Sequence, residues 1–370
     1  MPTGINLDPV VDSNDAFDVL KITLKNYPNR GELTVLQDRH TFPVMNRWFR
    51  DDRRVLTGGT AISEQIVIDE NGSAKMVKPR EVHEGNTKDV TATLQLPWRG
   101  GQGDWDLETR EVLMNSGSAK SFTRLCSLIK VRRASADLSI ANLLEKRGWL
   151  APNSTADDKN PHGMPYWLVP ITSAQVASDL GGDHIGTNPV GYTDTAGIDA
   201  TAEKYKLWRS YNDVWSNDDS ITTEEDVRKM TRMHRRLKFQ VPMNARDWES
   251  EAFSDFQGYV TEARLEGFEE RARANNESLG ADLAKYCGQT VVKGTPMNWC
   301  EDLDDVSTDP MYLINHRHWN VFMLEGDNFT ETTTAPDRSQ HRVLTTFVDF
   351  TFNFMTLNRR LCGGRIDYVA

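Results

Sequence analysis

The chain has 370 residues, 38% of them hydrophobic and 26% charged, with a formal net charge of −11. That length allows about two or three domains and a sizeable core. The negative charge argues against a nucleic-acid-binding module, which carries a basic footprint, and against adhesion to an anionic membrane. No apolar run approaches roughly 18 residues, and the chain does not open on a basic stretch followed by an apolar one, so neither a transmembrane helix nor a secretory leader is expected. Cys126, Cys287, Cys300 and Cys362 form no Cys-x-x-Cys pair and are too sparse for a disulfide scaffold. Reduced thiols are expected.

Residues 1–54 read as an arm. Asp12-Ser13-Asn14-Asp15 can cap a short helix reaching Lys25, with Phe17, Leu20 and Leu24 on one face. Asn26 to Gly31 breaks it, and residues 42–49, carrying Trp48, form a second amphipathic stretch. So few apolar residues make no core alone, so the arm must pack on the rest of the subunit or on a neighbour. Residues 55–98 read as a two-stranded ribbon. Ile62, Ile66 and Ile68 alternate with Ser63, Gln65 and Val67, while Val90, Ala92, Leu94 and Leu96 alternate with Thr91, Thr93 and Gln95. A charged stretch lies between these strands. An isolated ribbon is marginal in water, so this one must lie on another surface.

Residues 118–147 place Phe122, Leu125, Cys126, Ile129, Ala136, Ile140, Leu143 and Leu144 at helical spacing, with Ser118 as cap and Gly148 as stop. Arg132 and Arg133 interrupt the stripe, so one of them belongs at its edge. Residues 150–220, rich in Gly, Pro, Asp and Asn, predict loops and short strands. Thr222 and Glu225 have capping-box spacing and open a helix to about Lys238, followed by an extended segment at 239–242. Tyr259-Val260-Thr261 ends a strand, 263–274 forms a helix carrying Leu265 and Phe268, and 289–300 reads as strand, turn, strand. Near the end of the chain, residues 344–357 alternate apolar Val348, Phe350, Phe352 and Phe354 with polar Asp349, Thr351 and Asn353. Such a strand spans about 46 Å, where typical strands have about 5–6 residues. It suggests an extended, flat subunit rather than a compact enzyme.

Candidate chemistry is sparse. His316 and His318, with Glu325 and Asp327 nearby, have metal-binding spacing on a strand, but no third ligand is fixed, and Arg317 and Trp319 suit an interface as well. Glu301, Asp302, Asp304, Asp305 and Asp309 lack the glycine and terminal glutamate of a calcium loop, which favours a solvated loop. Gly58-Gly59 and Gly100-Gly101-Gln102-Gly103 are not followed by Gly-Lys-Ser/Thr, and read as hinges at the two ends of the ribbon. No nucleophile elbow, zinc-protease helix or dinucleotide fingerprint is present. No catalytic, cofactor-binding or metal-binding residue is assigned, which points to a structural role.

The order of parts resembles the major capsid proteins of tailed bacteriophages with the Hong Kong 97-type fold. Gly58-Gly59-Thr60-Ala61-Ile62 is similar to the start of that family's extended loop, and Met114-Asn115-Ser116-Gly117 to the approach to its spine helix. Asn276 to Tyr286, Val292-Lys293-Gly294-Thr295-Pro296, Phe322 to Asp327, and Val348-Asp349-Phe350-Thr351 with Asn358-Arg359-Arg360 resemble a subgroup of these sequences. The resemblance implies an α+β capsid fold with an N-terminal arm (1–54) and an extended β-hairpin loop (55–100). A peripheral domain (101–189, spine helix 118–147), an axial domain (190–325) and a returning peripheral strand with the C-terminus (326–370) would complete it. It implies a structural protein, not an enzyme, that assembles as hexamers and pentamers into an icosahedral shell around phage double-stranded DNA, without a cofactor.

The partners so implied are further copies of itself, a portal protein at one vertex, a cement or decoration protein in some shells, and packaged DNA touched non-specifically, with no membrane. Only about 54 residues precede the loop, fewer than the cleaved scaffold region of some members, so a separate scaffolding protein, or none, is implied. The chain would reside in the virion capsid after assembly in the host bacterial cytoplasm. Lys75, Lys78, Arg80, Glu81 and Glu84 on the loop are the expected inter-subunit ion-pair residues. Some members cross-link covalently through a loop lysine, and Lys75, Lys78 and Lys88 match that lysine by place only. An encapsulin-type compartment shell shares the fold and stays an alternative, as does, from a different class, an unrecognised hydrolase.

Overall fold

The computed structural model describes residues 39–69, 72, 74–80, 88–108, 121–178, 180–216, 223–238, 255–274, 290–333 and 343–369. The expected helix over 12–25, the Met114 to Gly117 motif, the Ser118 cap, Thr222, the extended segment at 239–242 and the Asn276 to Tyr286 motif lie outside them. In chain order the strands are β1 (Arg53–Leu56), β2 (Ala61–Val67), β3 (Thr91–Pro97), β4 (Arg99–Glu108), β5 (Asp183–Gly186), β6 (Ser210–Val214) and β7 (Phe256–Val260). They continue with β8 (Val291–Val292), β9 (Thr295–Trp299), β10 (Met311–Asn315), β11 (Trp319–Leu324), β12 (Thr330–Thr333), β13 (Val343–Thr356) and β14 (Gly363–Asp367). The longer helices are α1 (Ser121–Gly148), α2 (Glu224–Arg236) and α3 (Glu262–Ala274). The chain divides into two compact units. Among the described residues the first holds Gly100–Leu144 and Leu324–Thr351, and the second holds Arg39–Arg99, Glu145–Met323 and the chain from Phe352.

In the first unit, β12 pairs antiparallel with β13, Thr330 opposite Asp349 and Thr333 opposite Thr346, and β4 also pairs with β13. The alternation read from the sequence sets the faces, with Val348 and Phe350 buried between half-buried Phe347, Asp349 and Thr351. Gly100, Gly101 and Gly103 are not a hinge. They lie inside β4, where a Cβ on Gly101 would overlap the Phe350 ring and one on Gly103 would come 2.5 Å from Ile140. Glycine is needed there for close approach rather than for bending. On α1, Ile129, Ala136 and Ile140 are buried as the spacing predicts, but Leu143 is 41% exposed. Arg132 and Arg133 leave the apolar stripe for ion pairs, Arg132 with Asp106 at 3.7 Å and Arg133 with Glu331 at 2.7 Å. The helix has 28 residues, about 42 Å of axial rise.

The second unit is built on a seven-stranded sheet in the order β5-β6-β14-β10-β7-β9-β8. β14, near its middle, pairs parallel with β6 and antiparallel with β10. Gly363 and Gly364 make that position possible, because a Cβ on Gly364 would meet Met233 at 2.6 Å and one on Gly363 would run into the Leu313 carbonyl. The apolar side chains over this sheet include Tyr211, Met230, Met233, Phe256, Val260, Phe268, Met311, Leu313 and Ile366. β8 and β9 form the expected strand, turn and strand, with Lys293 and Gly294 at φ 53° and 81° in the turn between them. α2 starts one residue later than the capping spacing suggested. Thr223 caps it with Asp226, whose carboxylate accepts from Thr223 N at 2.9 Å and from Ser216 N at 3.0 Å. Glu225 instead faces outward, 3.7 Å from Lys229.

Phe352 to Thr356 of β13 pair with β11, and here the alternation ends, because Asn353, Met355 and Thr356 are as buried as Phe352 and Phe354. The loops of 150–216 contribute to the core. Trp149, Met164, Tyr166, Trp167 and Leu168 are buried, and the fully buried Arg359 ties these loops together. Arg359 donates to the carbonyls of Trp167 (2.6 Å), Thr187 (2.6 Å) and Trp208 (3.4 Å) and to Thr195 Oγ1 (3.3 Å). Cys300 and Cys362 are free, buried thiols.

Candidate assembly surfaces

The ribbon forms as the alternation predicts. β2 and β3 are antiparallel, with Ile62 opposite Leu96, Glu64 opposite Leu94 and Ile66 opposite Ala92. One face is buried through Ile62, Leu94 and Leu96, while Ser63, Gln65, Thr93 and Gln95 point to solvent. The base is fixed within its own unit. Gln95 N donates to the Ala196 carbonyl at 3.0 Å, and Trp98 Nε1 donates to the Gly59 carbonyl at 2.9 Å. Gly59, at φ 120° on the entry to the ribbon, takes a backbone that a side chain would strain. Further out, Lys88 pairs with Asp69.

Beyond that pair the exposed end carries Lys75, Lys78 and Arg80, all solvent-exposed, on a segment without regular structure. Arg80 sits at φ 72°, a left-handed position for a non-glycine residue. The structure thus brings three of the five expected contact residues into one short exposed stretch; Glu81 and Glu84 lie outside the described residues. Apolar side chains that the charge-based selection passed over are exposed on the same ribbon: Val67 at 74%, Met76 fully and Val77 at 54%. Fully burying a side chain of this kind stabilises by about 1.5–3 kcal/mol, so this end is suited to lie on something else. The alternation in β2 already put Val67 on the outward face; Met76 and Val77 sit in no periodic run that would have marked them.

From residue 39 onward, the segment read as an arm is built into the second unit. Val44, Trp48 and Phe49 are buried in a helical turn, and the Trp48 ring lies 5.0 Å from Trp149, 5.1 Å from Trp319 and 5.5 Å from Phe354. The backbone of this turn is held by Glu145, which has no exposed surface and accepts from Val44 N, Met45 N and Trp149 Nε1 at 3.0–3.2 Å. Burial pushes the Glu145 carboxyl up to about 7 against these three donors. Arg39 pairs with Asp302, and His40 N donates to Glu301 at 2.9 Å.

In the acidic run at 301–309, Asp304 and Asp305 are solvent-exposed as expected of a solvated loop, while Glu301, Asp302, Asp304 and Asp309 also anchor neighbouring segments. Asp304 accepts from Glu262 N and from Trp299 Nε1, and Asp309 takes Thr261 and the buried Arg264. Glu145, Cys300 and Asp302 have ligand atoms close enough to share an ion. Their chemistry does not fit one. Both Glu145 oxygens already accept N–H donors, Asp302 holds Arg39, and burial drives the Cys300 thiol far above its ordinary range. His316 is likewise committed. Its Nδ1 lies 2.6 Å from Asp52 Oδ2 and its Nε2 lies 3.0 Å from the Tyr259 hydroxyl, so neither ring nitrogen is left for a metal. Among the described residues, no helix is long and apolar enough to cross a membrane.

No protein-family model and no curated protein sequence matches the chain. Solved structures do. A subunit of the cyanophage A-1(L) capsid asymmetric unit matches with a TM-score of 0.58 at 15% identity, over 94% of this chain and 98% of that one. A subunit from the capsid of a native GTA particle matches with a TM-score of 0.53 at 10% identity, over 98% and 100%. Identities this low speak for shape and not for shared residues, and the agreement runs essentially end to end in both directions. With the ribbon, the long helix, the long strand and the mixed sheet, the chain has the α+β Hong Kong 97-type capsid fold.

Proposed function

We propose that the chain is the structural major capsid protein of a tailed bacteriophage, assembling as hexamers and pentamers into an icosahedral shell around double-stranded DNA. The observation that carries this is the end-to-end likeness to capsid subunits, covering 94% or more of both chains. The exposed ribbon supports it. A charged, partly apolar hairpin whose base alone is packed is what a subunit needs to lay over its neighbour, and many modest contacts of that kind become cooperative in a closed symmetric shell. In this reading residues 1–54 are the arm, 55–100 the extended loop, 101–189 the peripheral domain with its spine helix, 190–325 the axial domain and 326–370 the returning strand. Lys75, Lys78 and Arg80 form inter-subunit ion pairs, with Glu81 and Glu84 as their counterparts on neighbouring loops. A scaffolding protein, a portal and, in the finished particle, a decoration protein are the further partners, and the work of the chain is mechanical rather than catalytic.

Rate-zonal sedimentation tests this. The full chain, expressed alone and together with its neighbouring genes, should give species sedimenting as capsomers or as whole shells. A monomer or dimer under every condition tried would contradict the proposal.

A further inference from the structure

α2 carries Arg228, Arg232, Arg235 and Arg236. At 3.6 residues per turn these four fall within about 100° of one another and run along about 12 Å of helix axis. They are the lining of one surface cleft of about 500 Å³. In a chain of net charge −11 this is a local reversal of sign. Among the described residues two of the four are held in ion pairs, and Asp213 adds its field at Arg232. Arg228 holds Glu224 at 2.7 Å and Arg236 holds Asp183 at 3.2 Å, whereas Arg232 and Arg235 make no ion pair among the described residues. Arg360 lies close by, where burial pushes its guanidinium below the ordinary range, Asp183 opposes that and Arg236 adds to it.

We infer that this arginine stripe is a binding site for the phosphodiester backbone of nucleic acid, placed to receive the packaged strand. The inference rests on the shell function proposed above and names the surface through which such a shell would touch its contents. Two features favour phosphate over the carboxylates of a neighbouring copy. The lining is arginine alone, and the guanidinium fork matches phosphate oxygens two at a time. Protein–protein contacts also centre on an apolar core with few charges, whereas protein–DNA contacts are polar, wet and strongly positive. On a chain of net negative charge, a local stripe of this sign gives weak, sequence-independent adhesion that leaves the DNA free to slide.

The test uses the full-length chain held as unassembled subunits, a short labelled DNA duplex and anisotropy titrations across about 50–200 mM salt. The comparison is with an Arg232→Gln/Arg235→Gln double variant whose fold is checked by circular dichroism and whose assembly is checked by sedimentation. The wild type should bind, with an affinity that falls steeply with salt. The variant should bind at least about tenfold more weakly near 0.1 M salt, with a log–log slope shallower by about 2, while still forming shells. Equal DNA binding by the two proteins, or none by the wild type, would overturn the inference. So would a variant that folds and no longer assembles, which would put a second copy on the stripe. If the wild type forms no shells at all, the shell reading fails separately, whatever the DNA titration shows.

Discussion

Asn353 has no exposed surface, and its carboxamide serves several partners. The oxygen accepts from His162 N at 3.0 Å and from Phe354 N at 2.9 Å, and the nitrogen reaches the Pro97 carbonyl at 2.7 Å and His162 Nδ1 at 3.0 Å. The last of these requires an unprotonated Nδ1, so the imidazole is neutral. Burial, with the nearby Arg99 charge adding to it, lowers His162 to about 4. An unfolded histidine titrates near 6.5, so between those values the unfolded chain binds more protons than the folded one. The contribution of His162 is therefore fully present above about pH 6.5 and is lost as pH falls toward 4; it amounts to about 3 kcal/mol. His184, also lowered to about 4 by burial, acts in the same direction. Glu145, raised to about 7, acts in the opposite direction, helping most below about pH 4.5 and losing its contribution as pH rises through 7. A His162→Phe variant keeps the edge contact with Tyr166, whose ring lies 4.5 Å from that of His162, and removes the titration. Urea unfolding of unassembled subunits should show it about 1 kcal/mol less stable at pH 7 for the lost acceptor, with a flatter decline toward pH 4.5. An acid slope identical to wild type would contradict this account of the histidine. Arg359 is the more extreme case, a guanidinium with no carboxylate partner among the described residues, held by four oxygens of the loops it joins. Burial lowers it to about 9, which leaves it charged at neutral pH.

Among the elements, the ribbon carries the clearest consequence for assembly. Lys78 and Arg80 stand exposed beside Met76 and Val77 on a tip without regular structure, so reversing their charge changes nothing in the packed base of the hairpin. A Lys78→Glu/Arg80→Glu variant should keep the unfolding midpoint of the subunit within about 0.5 kcal/mol of wild type and lower the yield and salt tolerance of shells several-fold. Shell yield and stability equal to wild type would remove these residues from the interface. What could be read from the sequence follows from period and exposure. β2, β3 and the first part of β13 are buried on one face only, so alternation revealed them, and α1 showed itself by its stripe. β14 is buried on both faces and reads Gly-Gly-Arg-Ile-Asp, with Arg365 and Asp367 paired inside at 2.7 Å, so no apolar pattern marks this interior strand of the sheet. The loops and short strands expected over 150–220 form, but their packing was hidden for a related reason, since it depends on Arg359 about 150 or more residues away in sequence. Of the candidate surface, the charged tip was legible as a run of charge. The arginine stripe was equally visible as 228, 232, 235 and 236 on a helix face, and an overall charge of −11 directed attention away from it.

For the whole molecule, composition and function pull in one direction. A hydrophobic content of 38% leaves much polar surface, which keeps single subunits soluble, and a net charge of −11 makes copies repel one another at long range. Association must then come from short-range contacts at specific places, where a Debye length near 8 Å at physiological salt leaves them effective while distant repulsion is screened. On the proposed function, the exposed apolar and cationic tip of the ribbon serves as such a place. Negative-stain electron microscopy of the full chain, expressed with its neighbouring genes and taken from the fast-sedimenting fraction, tests this most directly. The account predicts closed icosahedral shells of one or a few sizes, with hexameric and pentameric capsomers visible in class averages. Fields containing only separate subunits or irregular aggregates, from protein shown to be folded, would contradict it.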